Sequence, residues 1–538
     1  MRVPPGLAIS MDEPSSLAAR ARRWRGIFFV LFVLSLACKV VIASTLSPFG
    51  DEAFYWQESL RLAWGYSDLP PLTAWLIAGS EAVFGHGLLA MRLPFLVLGG
   101  LVPWQVAALA RRGGSAQAPW QAAVFALLLP LGGSLGVLAL PDVPLTFSIL
   151  LAAQGLVAAL ETNRKRDWCL LGLGLALAWC THYRAAMAML AGLVFMLAVP
   201  RGRRAWRQGG WWVAMAVAAL GLLPIIIYNV ASRGAGVAFQ LVDRNPWQFH
   251  ADALVQPLEQ ALACTPLLYV LLLWALWQAW RRRGDVPCDV LATLAGTFVI
   301  VYFVVGLFAD DVRFRAHWPL PGYLLLCTVL PAVLANASAW MRRFAGIALS
   351  LAGVGLLVGF AYLGLAASAR GAIVLAHAKA FPANFTGWRD VAAALPPQPE
   401  GALLVADNFM LAAELRFAKG ANASVYSLDS PLNVKHGRAA QLRAWALDEA
   451  ALQDLAPAPL ILVVDETALR ERETREWLGS ICTRVDIERP LGRVDAFAGR
   501  RRFAFYAAHA RSTQAPAVPP DQCIVWAQAY AAGALRGR

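Results

Sequence analysis

Charge is scarce in this chain, and it is absent from long stretches of it. Of 538 residues only 15% are Asp, Glu, Lys or Arg, while 59% are hydrophobic. Apolar runs of about 20 residues recur, the length at which a helix crosses a bilayer. A soluble domain of this size has no use for so much apolar surface, so that class is excluded. Backbone groups in lipid must bond within their own segment, so the runs are expected to be helices. Other features are missing too. No C-x-x-C pair occurs among the eight cysteines, which leaves a zinc ribbon unsupported. No G-x-G-x-x-G follows a strand-like run, so no nucleotide cofactor is expected. No internal repeat is visible. The first apolar run, 26–45, lacks a small-residue cleavage site and reads as a retained span.

What charge there is leans basic, with a formal net charge of +13. Much of it lies in short clusters between apolar runs, such as Arg111 and Arg112, Arg201, Arg203 and Arg204, and Arg281, Arg282 and Arg283. Retention of basic loops on the cytoplasmic side explains them, and no nucleic-acid partner is expected. We read about eleven spans: 26–45, 89–110, 120–139, 144–160, 169–181, 185–199, 211–230, 261–280, 288–308, 319–335 and 345–366. With residues 1–25 in the cytoplasm, the basic loops fall inside. The outside loops are 46–88, 140–143, 182–184, 231–260 and 309–318, and they carry acids and aromatics. The segment 72–85 is apolar but short, and reads as an interfacial helix.

The fold class is therefore a polytopic α-helical membrane protein: a transmembrane domain over 26–366 and an outer domain over 367–538. In the latter, strand-like runs at 401–409, 423–429 and 460–466 alternate with helix-like runs, the pattern of a small α/β domain. Cys482 and Cys523 fall in this domain, where an oxidising compartment allows them to pair. The other six cysteines read as packing residues.

The stretch "SPFGDEAFYW" places Asp51 and Glu52 at the start of a helix. Taken alone, the two acids suit the helix dipole. The same loop continues into "GYSDLPPLTAWL", with Asp68 before a double proline, and its first helix offers Phe54, Leu60, Leu62 and Trp64 to the membrane surface. Two proline-stiffened turns and two helices in one loop suggest a built site. Asp142, in "LPDVP", is an ordinary turn acid by itself, but it lies at the same membrane edge. Cations lie at that level as well: His182 and Arg184 in "THYRA", Arg244 and His250 in "LVDRNPWQFH", and Arg313, Arg315 and His317 in "DDVRFRAHWPLPGY". A guanidinium donates two parallel bonds to phosphate. Acids beside arginines at a lipid boundary suit transfer of a group carried on a lipid phosphate.

These stretches, "DEAFYW…GYSDLPPLTAWL…FGHGLLAMRLP", "LPDVPL" and "HWPLPGYLLL", resemble membrane glycosyltransferases of the GT-C superfamily. Within it they are most similar to the bacterial branch of the dolichyl-phosphate-mannose protein mannosyltransferase family, which includes the aminoarabinose lipid A transferases. The resemblance covers about residues 25–335. It implies a sugar carried on a polyprenyl phosphate, with undecaprenyl phosphate as the expected lipid. The sugar is transferred on the periplasmic face of a bacterial inner membrane to a glycolipid such as lipid A, to a glycan or to a protein. Asp51 is then the general base or acceptor-orienting acid, and Asp142 the second catalytic acid. Tyr55 and Tyr66 match aromatic positions near the lipid phosphate. A divalent metal ion is implied near these loops, with Asp68 and His250 as its candidate ligands. Leu69 stands where the aminoarabinose enzymes have a lysine. The lost phosphate contact then passes to Arg92, Arg184 or Arg244, with His182 beside them, and an aminoarabinose donor is disfavoured. The rival reading is a transporter or lipid flippase. Charges inside the spans would mark one, and Lys39 is the main such charge. A non-catalytic scaffold of the envelope is the third reading.

Overall fold

The computed structural model describes residues 14–113, 115–243, 247–282, 284, 286–308, 316–467, 476–477, 479–512 and 514–516. Helix α1 spans Pro14–Thr45. The loop after it holds α2 (Gly50–Ser59) and α3 (Leu72–Phe84). There follow α4 (Leu88–Ala110), α5 (Ala118–Leu128), α6 (Pro130–Ser134), α7 (Asp142–Thr162), α8 (Lys165–Thr181) and α9 (Ala185–Ala198). Every interval expected to span coincides with helix, but not always with one unbroken helix. Among the described residues six helices are long and apolar enough to cross a bilayer alone, and a pair, Ala251–Cys264 and Pro266–Arg281, bent by 109°, is either a broken span or a re-entrant loop. The bend falls at Pro266, which cannot donate to the preceding turn.

The expected span 120–139 is also broken. Pro130 ends α5 one turn short, and after α6 the chain runs on as irregular backbone through 135–141. This explains the lysine in the first span. Lys39 is 3% exposed, and its Nζ donates to Leu135 O at 2.8 Å. It satisfies a carbonyl that the broken helix leaves without a partner.

The C-terminal region builds one five-stranded sheet from β1 (Leu403–Ala406), β2 (Val425–Ser427), β3 (Pro459–Asp465), β4 (Val485–Ala496) and β5 (Arg501–Ala510), in the order β2-β1-β3-β5-β4. β2, β1 and β3 are parallel, and β5 and β4 add an antiparallel pair. Side chains of β3 alternate between two cores: Leu460, Leu462 and Val464 on one face, Ile461 and Val463 on the other. A strand covered on both faces reads as a continuous apolar run, which is why "LILVV" was legible. Cys482 is disulfide-bonded; Cys523 lies outside the described residues.

The sheet-bearing C-terminal region, the outer domain of the sequence reading, does not stand clear of the bundle. Its helix Phe409–Lys419 packs along α2. Phe54 meets Phe409 edge to face at 5.5 Å, and Trp56 meets Phe417 at 5.0 Å. A Cβ on Gly50 would sit 2.7 Å from Met410 Sδ, so any larger residue there would have to push the Met410 side chain aside. The expectation that α2 offers Phe54 to the membrane surface is therefore corrected: Phe54, Tyr55 and Trp56 are buried, and α2 is the helix on which the outer domain docks. Leu62 and Trp64, just beyond it, are exposed. α3 exposes Val83 and Phe84 at its far end.

Candidate active site

The two adjacent acids of the first loop part company because successive helical residues point about 100° apart. Glu52 turns inward. Arg92 Nε and Nη2 donate to its two oxygens at 2.9 and 2.7 Å, and the backbone N–H groups of Ala139 (2.6 Å) and Phe49 (3.0 Å) donate to it as well. Arg92 also donates to the carbonyls of Ala43, Leu46 and Ser47 at 3.0, 2.7 and 3.1 Å. The pair ties the end of α1, α2, α4 and the irregular 135–141 stretch together.

Asp51 turns the other way, into a cavity of about 350 Å³ where the bundle meets the outer domain. Tyr55, Asp68, Asp142, His182, Arg184, His317, Lys435, His436 and Arg438 line the same cavity. Asp142, at the first turn of α7, accepts from Arg184 Nη2 at 2.6 Å and stands 3.3 Å from His317 Nε2. Arg184 Nε lies 3.1 Å from His182 Nε2, and its guanidinium lies 5.5 Å from the Trp318 ring centre. The short turns 138–141 and 182–184 thus fix one acid and one guanidinium face to face.

Arg438 comes from the outer domain. Ser430 caps the short helix Pro431–Lys435, and Gly437 follows with φ +73°, a left-handed turn suited to glycine. The turn directs Arg438 back under α2. Its Nη1 lies 2.7 Å from Asp68 Oδ2 and 3.3 Å from Glu58 Oε1, and its Nη2 lies 3.4 Å from Asp51 Oδ1. The guanidinium also lies over the rings of Phe54 (4.4 Å) and Tyr55 (4.9 Å). His436 Nδ1 stands 3.8 Å from Asp51 Oδ1. The loop bearing Asp68 is stitched to the same segment: Ser67 N–H donates to Gln441 Oε1 at 3.0 Å, and Gln240 Nε2 donates to Asp68 O at 2.7 Å.

Three carboxyl groups around one guanidinium cannot all ionise without cost. Burial raises the Glu58 carboxyl well above its usual range, Asp68 raises it further, and Arg438 only partly offsets this. Glu58 is thus pushed toward its neutral form, and it hydrogen-bonds Asp68. Burial likewise raises the Tyr55 hydroxyl, which remains a neutral donor. Burial works against the charge on Arg438, but Asp68, and Asp51 after it, drive the guanidinium further toward its charged form.

Of the residues singled out in the sequence, Asp51, Tyr55, Asp68, Asp142, His182 and Arg184 meet at this cavity. Tyr66 does not: its hydroxyl is buried and donates to Glu58 O at 3.0 Å. Arg92 is consumed by Glu52 and three carbonyls, and does not reach the cavity. His250, held through its backbone N–H to Leu307 O at 2.8 Å, does not line it either. Arg244, Arg313 and Arg315 lie outside the described residues. Asp68 is a poor metal ligand in this setting, because Arg438 stands 2.7 Å from it. Among the described residues no three His, Cys, Asp or Glu side chains gather to hold a metal ion. Arg438, Lys435 and His436 are the site residues that sequence reasoning missed.

Comparison with known proteins points one way. The model of the dolichyl-phosphate-mannose-protein mannosyltransferase family matches residues 68–228. The lipid A galacturonosyltransferase RgtD of Rhizobium johnstonii is 27% identical over 395 residues, 70% of this chain and 79% of the relative. The undecaprenyl phosphate-alpha-4-amino-4-deoxy-L-arabinose arabinosyl transferase of Pseudomonas aeruginosa is 29% identical over 342 residues, 58% of this chain and 57% of the relative. Among solved structures, ArnT from Cupriavidus metallidurans bound to undecaprenyl phosphate superposes with a TM-score of 0.62 at 16% identity, over 90% of this chain and 98% of that one. Its apo form gives 0.63 at 17%. At that identity the likeness shows the fold, which is of GT-C type.

Proposed function

We infer that this membrane protein of GT-C type, similar to lipid A-modifying glycosyltransferases, transfers a sugar from a polyprenyl phosphate to a glycolipid acceptor of the lipid A kind. Undecaprenyl phosphate is the carrier, and the bacterial inner membrane is the setting, with the outer domain on the periplasmic side. The observation that carries the reading is the meeting of Asp51, Asp68 and Asp142 with Arg184 and Arg438 in one cavity at the edge of the helical bundle.

Asp51 is the general base. It takes the proton of the acceptor hydroxyl as that oxygen attacks the anomeric carbon, and a carboxylate in hydrogen-bond reach contributes about 10²- to 10⁴-fold. The bond from the anomeric carbon to the phosphate oxygen breaks in the same displacement, which inverts the centre. The departing polyprenyl phosphate carries the new negative charge. Arg184, oriented by Asp142 and His182, together with His317 and Lys435, supplies the opposing charge at the cavity. Arg438 is a positioning residue. It fixes Asp51 and Asp68 and places permanent positive charge where the family resemblance puts a metal ion.

The test is mass spectrometry of lipid A from cells lacking the protein, cells carrying it, and cells carrying Asp51→Asn. The expected result is a sugar adduct that appears only with the unaltered protein, while the variant accumulates to a normal level in the membrane. Identical lipid A in all three, or an adduct that persists in Asp51→Asn, overturns the reading.

A further inference from the structure

Arg184 stands just before the first residue of α9, and the other end of that helix faces a different site. The 14 residues of α9 run about 20 Å away from Asp142 at about 1.5 Å per residue. There a second cavity, of about 770 Å³, opens between α9, helix Pro266–Arg281 and helix Val286–Gly306. It shares no lining residue with the Asp51 cavity.

Its walls and its mouth differ in chemistry. Val194, Trp280, Ile300 and Val301 line the depth. Thr293 and Thr297 also face it, but their hydroxyls donate to carbonyls of their own helix, Asp289 O at 2.7 Å and Thr293 O at 2.8 Å. Arg201, Arg204 and Asp289 form the mouth. Asp289 offsets at most one of the two guanidiniums. Arg201 reaches Asp289 only at 4.0 Å and Gly284 O at 3.4 Å, and the exposed Arg204 side chain has no ion-pair partner among the described residues. From Asp289 to Val301 the slot follows twelve helical residues, about 18 Å. One leaflet of a hydrocarbon core about 30 Å thick is about 15 Å.

We propose that this slot binds an anionic phospholipid of the leaflet opposite the Asp51 cavity, its acyl chain along helix Val286–Gly306 and its phosphate on Arg201 and Arg204. The apolar depth matches one chain, and the surplus of guanidinium selects a negative headgroup. A free anion would occupy only the mouth. The site is independent of sugar transfer and stands or falls apart from it.

The test reconstitutes the full chain in bilayers doped with spin-labelled phosphatidylglycerol or phosphatidylcholine of the same chain length, and measures the motionally restricted fraction of each. Phosphatidylglycerol should be preferred by about fivefold per guanidinium, from about 1 kcal/mol for each basic residue near an anionic lipid. Arg201→Gln with Arg204→Gln should bring the two lipids to parity. Thr297→Phe, which fills the slot and leaves the charges, should lower the restricted phosphatidylglycerol while the guanidiniums remain. Equal restriction of both lipids by the unaltered protein overturns the proposal. So does a preference that survives loss of both arginines, or displacement of the labelled lipid by millimolar inorganic phosphate.

Discussion

Arg92 and Arg438 are both buried under the first loop, 0% and 2% exposed, and their surroundings differ. Arg92 faces one carboxylate and three carbonyls, with every contact at hydrogen-bond distance. Arg438 faces three carboxyl groups and three aromatic rings, and it borders a cavity. A guanidinium with matched charge and no water is a clamp. One with surplus acid beside a cavity sets the protonation of its neighbours. Burial alone separates neither role; the count of charges does.

That contrast predicts different failures. Arg92→Met strands Glu52 without a counter-charge, and breaking one side of a buried pair costs about 3–5 kcal/mol. The expected outcome is a large fall in the thermal unfolding midpoint of the detergent-purified protein, partly reversed by adding Glu52→Gln. Arg438→Gln should cut transfer about 100-fold in a reconstituted assay, with a smaller loss of stability, because the glutamine amide can still donate to the buried Asp68, Glu58 is pushed toward its neutral form and Asp51 borders the cavity. Arg438→Lys should recover only part of it, since one ammonium cannot reach three carboxyl groups as a planar fork does. Equal unfolding midpoints for Arg92→Met and Arg438→Gln would erase the contrast. Asp142→Asn, which acts through the orientation of Arg184, should lower transfer about tenfold and raise KM for the lipid donor, an effect absent from Arg438→Lys.

The smallest effect is on the pH dependence of stability. The folded protein holds the Glu58 proton above the ordinary 4.5, while the unfolded chain releases it there. Stability from this group is therefore present at low pH and falls as pH rises above about 4.5. Asp407 and Glu414, raised by burial in the outer domain, act in the same direction. The difference between Glu58→Gln and the unaltered protein isolates Glu58: the variant should lose stability less steeply from about pH 5 upward in chemical denaturation. Parallel curves would place Glu58 outside the charged cluster.

Much of the bundle and one wall of the site were legible in the sequence. The spans announce themselves by length, and Asp51, Asp68 and Asp142 by proline turns at a membrane edge. The opposite wall was not. Arg438 lies in "VKHGRAAQL", nearly four hundred residues from Asp51, and no local pattern separates it from a solvated surface arginine. Only the docking of helix Phe409–Lys419 on α2 brings it near. Tyr66 and Arg92 misled for the converse reason, because a polar residue in a site-bearing loop can as readily satisfy the backbone of that loop. The β4–β5 pair was missed because "VDIERPLGRVDA" carries proline, glycine and charge, and two register shifts interrupt its alternation. The break at Pro130 was visible as a residue but not as the reason for Lys39.

The central claim is that bundle and outer domain make one catalytic unit through Asp51 and Arg438. A double-mutant cycle on Asp51→Asn and Arg438→Gln, read as single-turnover sugar transfer in proteoliposomes, tests it most directly. The account predicts that the double variant is less impaired than the sum of the single costs, with a coupling of about 1–3 kcal/mol. Costs that simply add, to within about 0.5 kcal/mol, would contradict it.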